Sequence, residues 1–277
     1  MARGELKRSW ETTNINNYNR SRYTFIKKRI YNMEHYRPRL YGDRRTAFEH
    51  LTKKQSRVLV IGDLHEPFCL DKYLDFCLDI QARYLTNKTI FIGDIIDSHG
   101  WSYHELDPDG LSAGSELSLA IKRIARWYDA FPKADVLIGN HDRMASRKAM
   151  SGGVPSAWIK GYNEVLRTPN WNWTDRVVID DVQYLHGEGG TARTKCRADL
   201  QSTIQGHLHT QAYCDHYVGA HYKIFGCQVG CGIDFDQYSF AYAKRGKKPA
   251  IGVGVCIGGT TCINELMNLG TQKDTFF

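Results

Sequence analysis

The sequence predicts an α/β fold of layered sheet and helix. Three observations carry that prediction: short β-branched apolar runs that each end on glycine, amphipathic segments between the first of them, and further strand-like runs near the carboxyl end. Apolar runs of this length without polar alternation are strands buried on both faces. The first four continue directly into polar residues: VLVIG at 58–62 into Asp63, TIFIG at 89–93 into Asp94, DVLIG at 135–139 into Asn140, and STIQG at 202–206 into His207. Glycine allows a sharp turn there, and loops leaving the carboxyl ends of neighbouring strands converge on one edge of an open α/β sheet.

Taken in order, the first 55 residues carry 14 Lys/Arg against 5 Asp/Glu, leaving −2 for the rest of a chain whose formal charge is +7. Tyr and Arg interleave in RSRYTFIKKRIYNMEHYRPRLY, a pattern suited to gripping phosphates and stacking bases, or to a solvated helix packed on the main domain. Residues 1–55 are therefore expected to be a basic extension, and 56–277 the main domain. Leu70 to Tyr84 and Ser115 to Trp127 read as amphipathic helices that complete a βαβαβ order, the second stopping before Pro132. VVIDDVQYLHG at 177–187 reads as a hairpin turning at Asp180 and Asp181, whose second strand delivers His186. Strands near 222–229 and 251–257 suggest a second, more antiparallel sheet.

The composition, 42% hydrophobic and 24% charged over 277 residues, is that of a soluble globular protein with a substantial core. MARGELKRSW lacks the apolar stretch of a secretory signal, and no run approaches the ~18 apolar residues of a spanning helix, so a cytoplasmic setting and no membrane contact are expected. The eight cysteines form no CxxC and read as buried free thiols. GVGVCIGG at 252–259 has the wrong glycine spacing for a dinucleotide loop and reads as a glycine-rich buried strand. Lys244, Arg245, Lys247 and Lys248 read as a solvated basic loop.

Singly, each polar residue after these strands has an ordinary explanation: a capping Asp, a core histidine, an Asn in a turn. Together they read Asp63-Leu64-His65, Gly93-Asp94-Ile95-Ile96-Asp97, Gly139-Asn140-His141-Asp142, His186-Gly187 and Gly206-His207-Leu208-His209. These five blocks, over roughly residues 57–210, resemble the signature of the calcineurin-like metallophosphoesterases. The resemblance implies a layered β-sandwich of two mixed sheets flanked by helices. It also implies two divalent metal ions, one held by Asp63, His65 and His209, the other by Asn140, His186 and His207, with Asp94 bridging. Imidazole, carboxylate and amide donors suit Mn first, with Fe, Zn or Ni as alternatives.

The chemistry so implied is hydrolysis of phosphate esters by a metal-bridging hydroxide. His141 would stabilise or protonate the leaving oxygen, Asp97 would orient His141, and Asp142 would support the loop. The chain departs from the family pattern after Asp97, where the protein-phosphatase branch carries a phosphate-gripping arginine and this sequence has Ser98. It departs again in the long SHGWSYHELDPDGLSAG segment at 98–114, where His99, Trp101, Tyr103 and His104 either line a substrate lip or tie down a surface loop. The expectation is a phosphodiesterase or nuclease acting on single-stranded DNA, RNA or a nucleotide, with contacts from residues 1–55. A phosphomonoesterase of proteins or small molecules is the first alternative and a non-catalytic binding scaffold the second.

Overall fold

The computed structural model describes residues 55–103, 109–237 and 248–269, and all of the expected basic extension but its last residue lies outside them. Two mixed sheets face one another across an apolar layer. The first has the order β11-β10-β1-β2-β3-β4, with β1 at Arg57–Ile61, β2 at Lys88–Phe91, β3 at Asp135–Leu137, β4 at Asn172–Thr174, β10 at Gly252–Ile257 and β11 at Thr261–Leu266. Strands β1 to β4 run parallel, while β10 lies antiparallel against β1 with Leu59 opposite Val255. The second has the order β5-β6-β7-β9-β8, with β5 at Arg176–Ile179, β6 at Val182–Leu185, β7 at Ser202–Gln205, β8 at Ala212–Val218 and β9 at Lys223–Val229.

The period-2 geometry of a strand explains why β1 is apolar throughout. Leu59 and Ile61 enter one core, which they share with Tyr73, Trp127 and Trp171, whereas Val58 and Val60 enter another with Tyr184, Ile204 and Phe225. The first core lies under helices α1 (Tyr73–Tyr84) and α2 (Ala113–Ala130), and the second lies between the sheets. α2 begins at Ser112, whose hydroxyl accepts from the Ser115 amide and satisfies one donor of the first turn. Buried Glu66 fastens α2 to the loop after β1. It accepts from Arg123 Nε at 2.6 Å, Arg126 Nη2 at 3.1 Å and Trp127 Nε1 at 2.9 Å.

The expected hairpin is β5–β6, and Asp180 and Asp181 both take positive φ (50° and 61°), the backbone of a tight two-residue turn that short polar side chains tolerate. The strand at 251–257 corrects an expectation. As β10 it joins the first sheet, and the second sheet is mixed, as the expected fold has it, with β5–β6 and β8–β9 antiparallel and β6–β7 and β7–β9 parallel. An apolar strand buried on both faces fits either sheet, and only pairing decides between them. Further elements had no sequence expectation: β4, β8, β11, and the short helices α3 (Met144–Ser151), α4 (Tyr162–Val165) and α5 (Ala192–Asp199).

Candidate metal centre

The loops leaving β1, β2, β3, β6 and β7 meet at one end of the two sheets and bring the expected side chains together. Asp63, His65, Asp94 and His209 form one group whose donor atoms all lie within 4.8 Å of one another, and Asp94, His186 and His207 form another. Asp94 belongs to both. His65 Nε2 lies 3.1 Å from His209 Nε2 and 3.6 Å from Asp94 Oδ2, and His209 Nε2 is 3.2 Å from Asp63 Oδ2. In the second group His186 Nε2 lies 3.1 Å from Asp94 Oδ2, 3.0 Å from Asn140 Oδ1 and 3.3 Å from His207 Nδ1. All seven residues expected to bind metal are thus at this one place.

The outward-facing nitrogens are held from behind. His65 Nδ1 is 2.7 Å from Asp97 Oδ1, and His186 Nδ1 is 3.1 Å from the Ile92 carbonyl oxygen. A hydrogen bond at Nδ1 fixes the tautomer and turns Nε2 inward, an arrangement typical of metal-binding histidines. Asp63 Oδ2 accepts from the His207 amide at 2.8 Å, whereas Oδ1 is buried with no hydrogen-bond partner among the described residues. A buried carboxylate oxygen without a donor is costly unless a cation meets it. Converging imidazole nitrogens, carboxylate oxygens and an amide oxygen, with no thiolate, suit a borderline divalent ion. The residues present therefore fit the group that the sequence implies.

Local backbone and packing show why these loops carry this sequence. His65, Asp94 and His207 all adopt positive φ (49°, 49° and 68°), a conformation that costs a non-glycine residue about 1–3 kcal/mol and concentrates at functional sites. The strand-ending glycines serve more than turning. A Cβ on Gly139 would lie 2.0 Å from Asp94 Oδ1, and one on Gly206 would lie 2.2 Å from Asp63 Oδ1. Glycine is required there because the carboxylates occupy the space.

Electrostatics among the protein groups follow from this crowding. Burial lowers His65 well below the usual imidazole range, helped by His141 and His209. Burial pushes Asp94 upward, but His186, His141 and His65 outweigh it and hold the carboxyl well below its usual range. His186 is pushed up to about 10 in spite of burial, because Asp94 stabilises its protonated form. Burial raises Asp97 and Asp142 to about 7, and Asp94 adds to both.

The remaining expected site residues sit around this cluster. Asp97 touches His141 through its backbone, the carbonyl oxygen accepting from His141 Nδ1, while its Oδ1 is 3.7 Å from that nitrogen and much nearer His65. Asp142 ties two loops together, Oδ1 accepting from the Ile95 amide at 3.0 Å and Oδ2 from the Gly139 amide at 2.9 Å. Within 98–114, a short 3-10 turn at His99–Trp101 buries His99, packs Trp101 against the first core and leaves Tyr103 exposed. His104, Lys244, Arg245 and Lys247 lie outside the described residues. Sequence reasoning missed Glu116, a buried residue of α2 whose carboxylate accepts from the His99 amide at 2.9 Å and the Gly100 amide at 2.6 Å. No motif marks it, since an acidic residue in a first helical turn is ordinary. It also missed Ile92, which acts through its backbone and so leaves no side-chain signal.

Fold and site together define a two-sheet α/β protein with a nitrogen- and oxygen-lined metal-ligand cluster where its loops converge. Residues 56–218, more than half of the chain, match the family model described as calcineurin-like phosphoesterase, and the chain belongs to that family. Membership implies divalent metal ions and metal-dependent hydrolysis of phosphate esters. Similar solved structures include vacuolar protein sorting 29 from Cryptosporidium parvum, at 14% identity over 77% of this chain and 98% of that one, with a TM-score of 0.37. The nuclease MPE of Pseudomonas putida matches at 13% identity over 73% of this chain and 84% of its own, with a TM-score of 0.37. The phosphoesterase Yfce of E. coli matches at 12% over 72% and 87%, with a TM-score of 0.34. No curated protein sequence matches the chain significantly. No helix among the described residues is long and apolar enough to cross a membrane.

Proposed function

We propose that the chain is a dinuclear phosphodiesterase or nuclease acting on nucleic acid or nucleotides. The observation that carries the dinuclear reading is the sharing of Asp94 between two groups of ligand-type side chains. Asp63, His65 and His209 would hold one ion, Asn140, His186 and His207 the other, with Asp94 common to both and Mn the first choice of metal. When bound, the ions supply Lewis-acid activation of the phosphoryl group and of water. The protein's own residues do the rest. Asp97 and the Ile92 carbonyl keep the His65 and His186 rings in register. His141 is anchored at Nδ1 by the Asp97 carbonyl, so proton exchange with the leaving oxygen runs at Nε2.

Two features favour a diester. Where protein phosphatases carry a phosphate-gripping arginine, this chain has Ser98, fully buried at positive φ (58°), and so offers no cationic side chain at that position. Helix α3, which comes after Asn140 and His141, instead exposes Arg147 and Lys148 beside the Tyr103 ring, at 5.4 Å and 5.0 Å from its centroid. Cations interleaved with an exposed aromatic suit a sugar-phosphate chain. Residues 1–55 would add a further sequence-independent contact to phosphates.

The test compares Mn-supported turnover of a model phosphodiester, a phosphomonoester and single-stranded DNA. The diester and DNA are expected to be cleaved well above the monoester, and activity confined to monoesters would overturn the assignment in favour of a phosphatase. Alanine at Lys27, Lys28 and Arg29 should lower the salt slope of DNA binding by about 0.7 for each phosphate no longer neutralised, while leaving turnover of the small diester unchanged.

A further inference from the structure

A second ligating cluster lies away from the metal centre and is of a different chemical kind. Cys214 on β8, Cys227 on β9 and Cys262 on β11 bring their sulfur atoms within 4.8 Å of one another, and they are the one all-cysteine group of three among the described residues. β8 and β9 are neighbours in the second sheet, where Cys214 sits directly opposite Cys227. β11 is the edge strand of the first sheet, so the Cys262 sulfur reaches across the layer between the sheets. The three therefore belong to two different sheets and meet only in the folded chain.

We propose that these three thiols form a binding site for one thiophilic d10 cation, of the class of Cu(I), Zn(II) or Cd(II). The size of the cluster fits. Metal–sulfur bonds of about 2.3 Å place three sulfurs around one ion about 4 Å apart, so small side-chain rotations close the present arrangement. A disulfide would instead draw two sulfurs to about 2.05 Å and leave the third thiol buried and alone. The surroundings fit as well. Cys227 is fully buried and Cys262 nearly so, whereas Cys214 is partly exposed and gives the cluster a side open to solvent. Hydrogen bonding with Cys227 and Cys262 draws the Cys214 thiol below its usual range, which eases its loss of a proton to a metal ion. Asn264 Nδ2 lies 3.9 Å from Cys227 Sγ while donating to the Gln228 carbonyl at 2.7 Å, an amide donor set to support a thiolate.

Binding replaces three S–H protons by three metal–sulfur bonds and releases the protons to solvent, with no change of redox state. The choice of ion follows from the donors: soft thiolates favour Cu(I), Zn(II) and Cd(II) over the Mn(II) or Mg(II) that oxygen donors favour. The ion would join the two sheets near the start of β11 and so raise resistance to unfolding.

The experiment titrates the reduced full-length chain, with Mn(II) present to occupy the nitrogen and oxygen site, with Cd(II) and reads the thiolate-to-metal charge-transfer absorption. A band that saturates at one equivalent is expected, along with a rise in unfolding temperature. Cys214→Ser and Cys262→Ser should each weaken binding at least tenfold, and Cys196→Ser, at a buried thiol outside the cluster, should leave it intact. Because Cys262 is buried and its variant can fail to fold, Cys214→Ser on the exposed side decides the matter. Absence of a thiolate band in the wild type, or a band unchanged in Cys214→Ser, would overturn the proposal.

Discussion

The chain gathers ligating side chains in two places, and the two are built in opposite ways. The Asp and His cluster stands on loops at strand ends, with three of its residues at positive φ and two supporting glycines against which a single added carbon would collide. The cysteine cluster stands on the strands themselves, in regular extended backbone, and depends on cross-strand register and on one sheet facing the other. Loops at sheet edges allow many donors to converge at the cost of strain and buried charge, whereas strands allow few donors but place them without strain. The first arrangement suits chemistry on a substrate that must enter and leave, and the second suits holding two layers together.

The variant expected to separate them most is Asp94→Ala. Asp94 is the one side chain common to both loop groups, and its loss removes a donor from each. Replacing a residue that merely supports a metal ligand costs about 10–100-fold. Losing a shared donor should therefore reduce turnover of a phosphodiester by more than about 100-fold. The cysteine cluster should be untouched, so Cd(II) absorption through the thiolates serves as the internal control for folding. If turnover fell less than tenfold, the idea that Asp94 serves two ions would fail.

Asp97→Ala should come next. Its Oδ1 holds His65 Nδ1 at 2.7 Å, and without it the ring is free to turn its Nε2 away from His209 and Asp94. The expected outcome is a loss of about 10–100-fold in Mn affinity, with turnover recovering substantially at saturating Mn. A loss of turnover that saturating Mn leaves unchanged would mean instead that Asp97 acts mainly through His141, as the sequence alone suggested. The experiment thus decides which of its two neighbours Asp97 serves in function.

The contrast between the clusters also explains what could be read from the sequence. Asp63 and His65, Asp94 and Asp97, and His207 and His209 lie a few positions apart on the same loops, so local spacing reports their proximity. Glycine before Asp94, Asn140 and His207 added a second signal, whose cause is the packing of Gly139 and Gly206 against carboxylates as well as turning. The strands β1, β2, β3, β7, β9 and β10, the helices α1 and α2, and the β5–β6 hairpin were legible from apolar runs, amphipathic periodicity and the Asp180-Asp181 turn. The place of β10 was not, because sheet membership is a long-range pairing that a uniformly apolar strand does not encode. Cys214, Cys227 and Cys262 were unreadable for the same reason, scattered along the sequence and joined only by register. Glu116 was hidden because it acts on backbone amides, which carry no sequence identity.

Glu116 supplies the smallest effect on turnover and the most specific one on stability. Buried in α2, it holds the turn at His99 and Gly100, which follows Asp97 by two residues. Burial raises its carboxyl from about 4.5 to about 7; the two backbone amides and His141 oppose the shift, while Asp97 adds to it. The folded chain therefore binds this proton more tightly than the unfolded chain. The stability that results is fully present below pH 4.5 and is lost as the pH rises through 7, a change of about 3 kcal/mol over the window. Glu116→Gln removes the titration and keeps a similar shape, so the wild type's advantage over the variant in urea unfolding should shrink by that order between pH 4.5 and 8. Turnover of the small diester at pH 7 should change by less than a few-fold, because Glu116 touches the turn and not the ligating side chains. A gap in stability that stays constant with pH would show that the two amides, and not burial, set the state of this carboxylate.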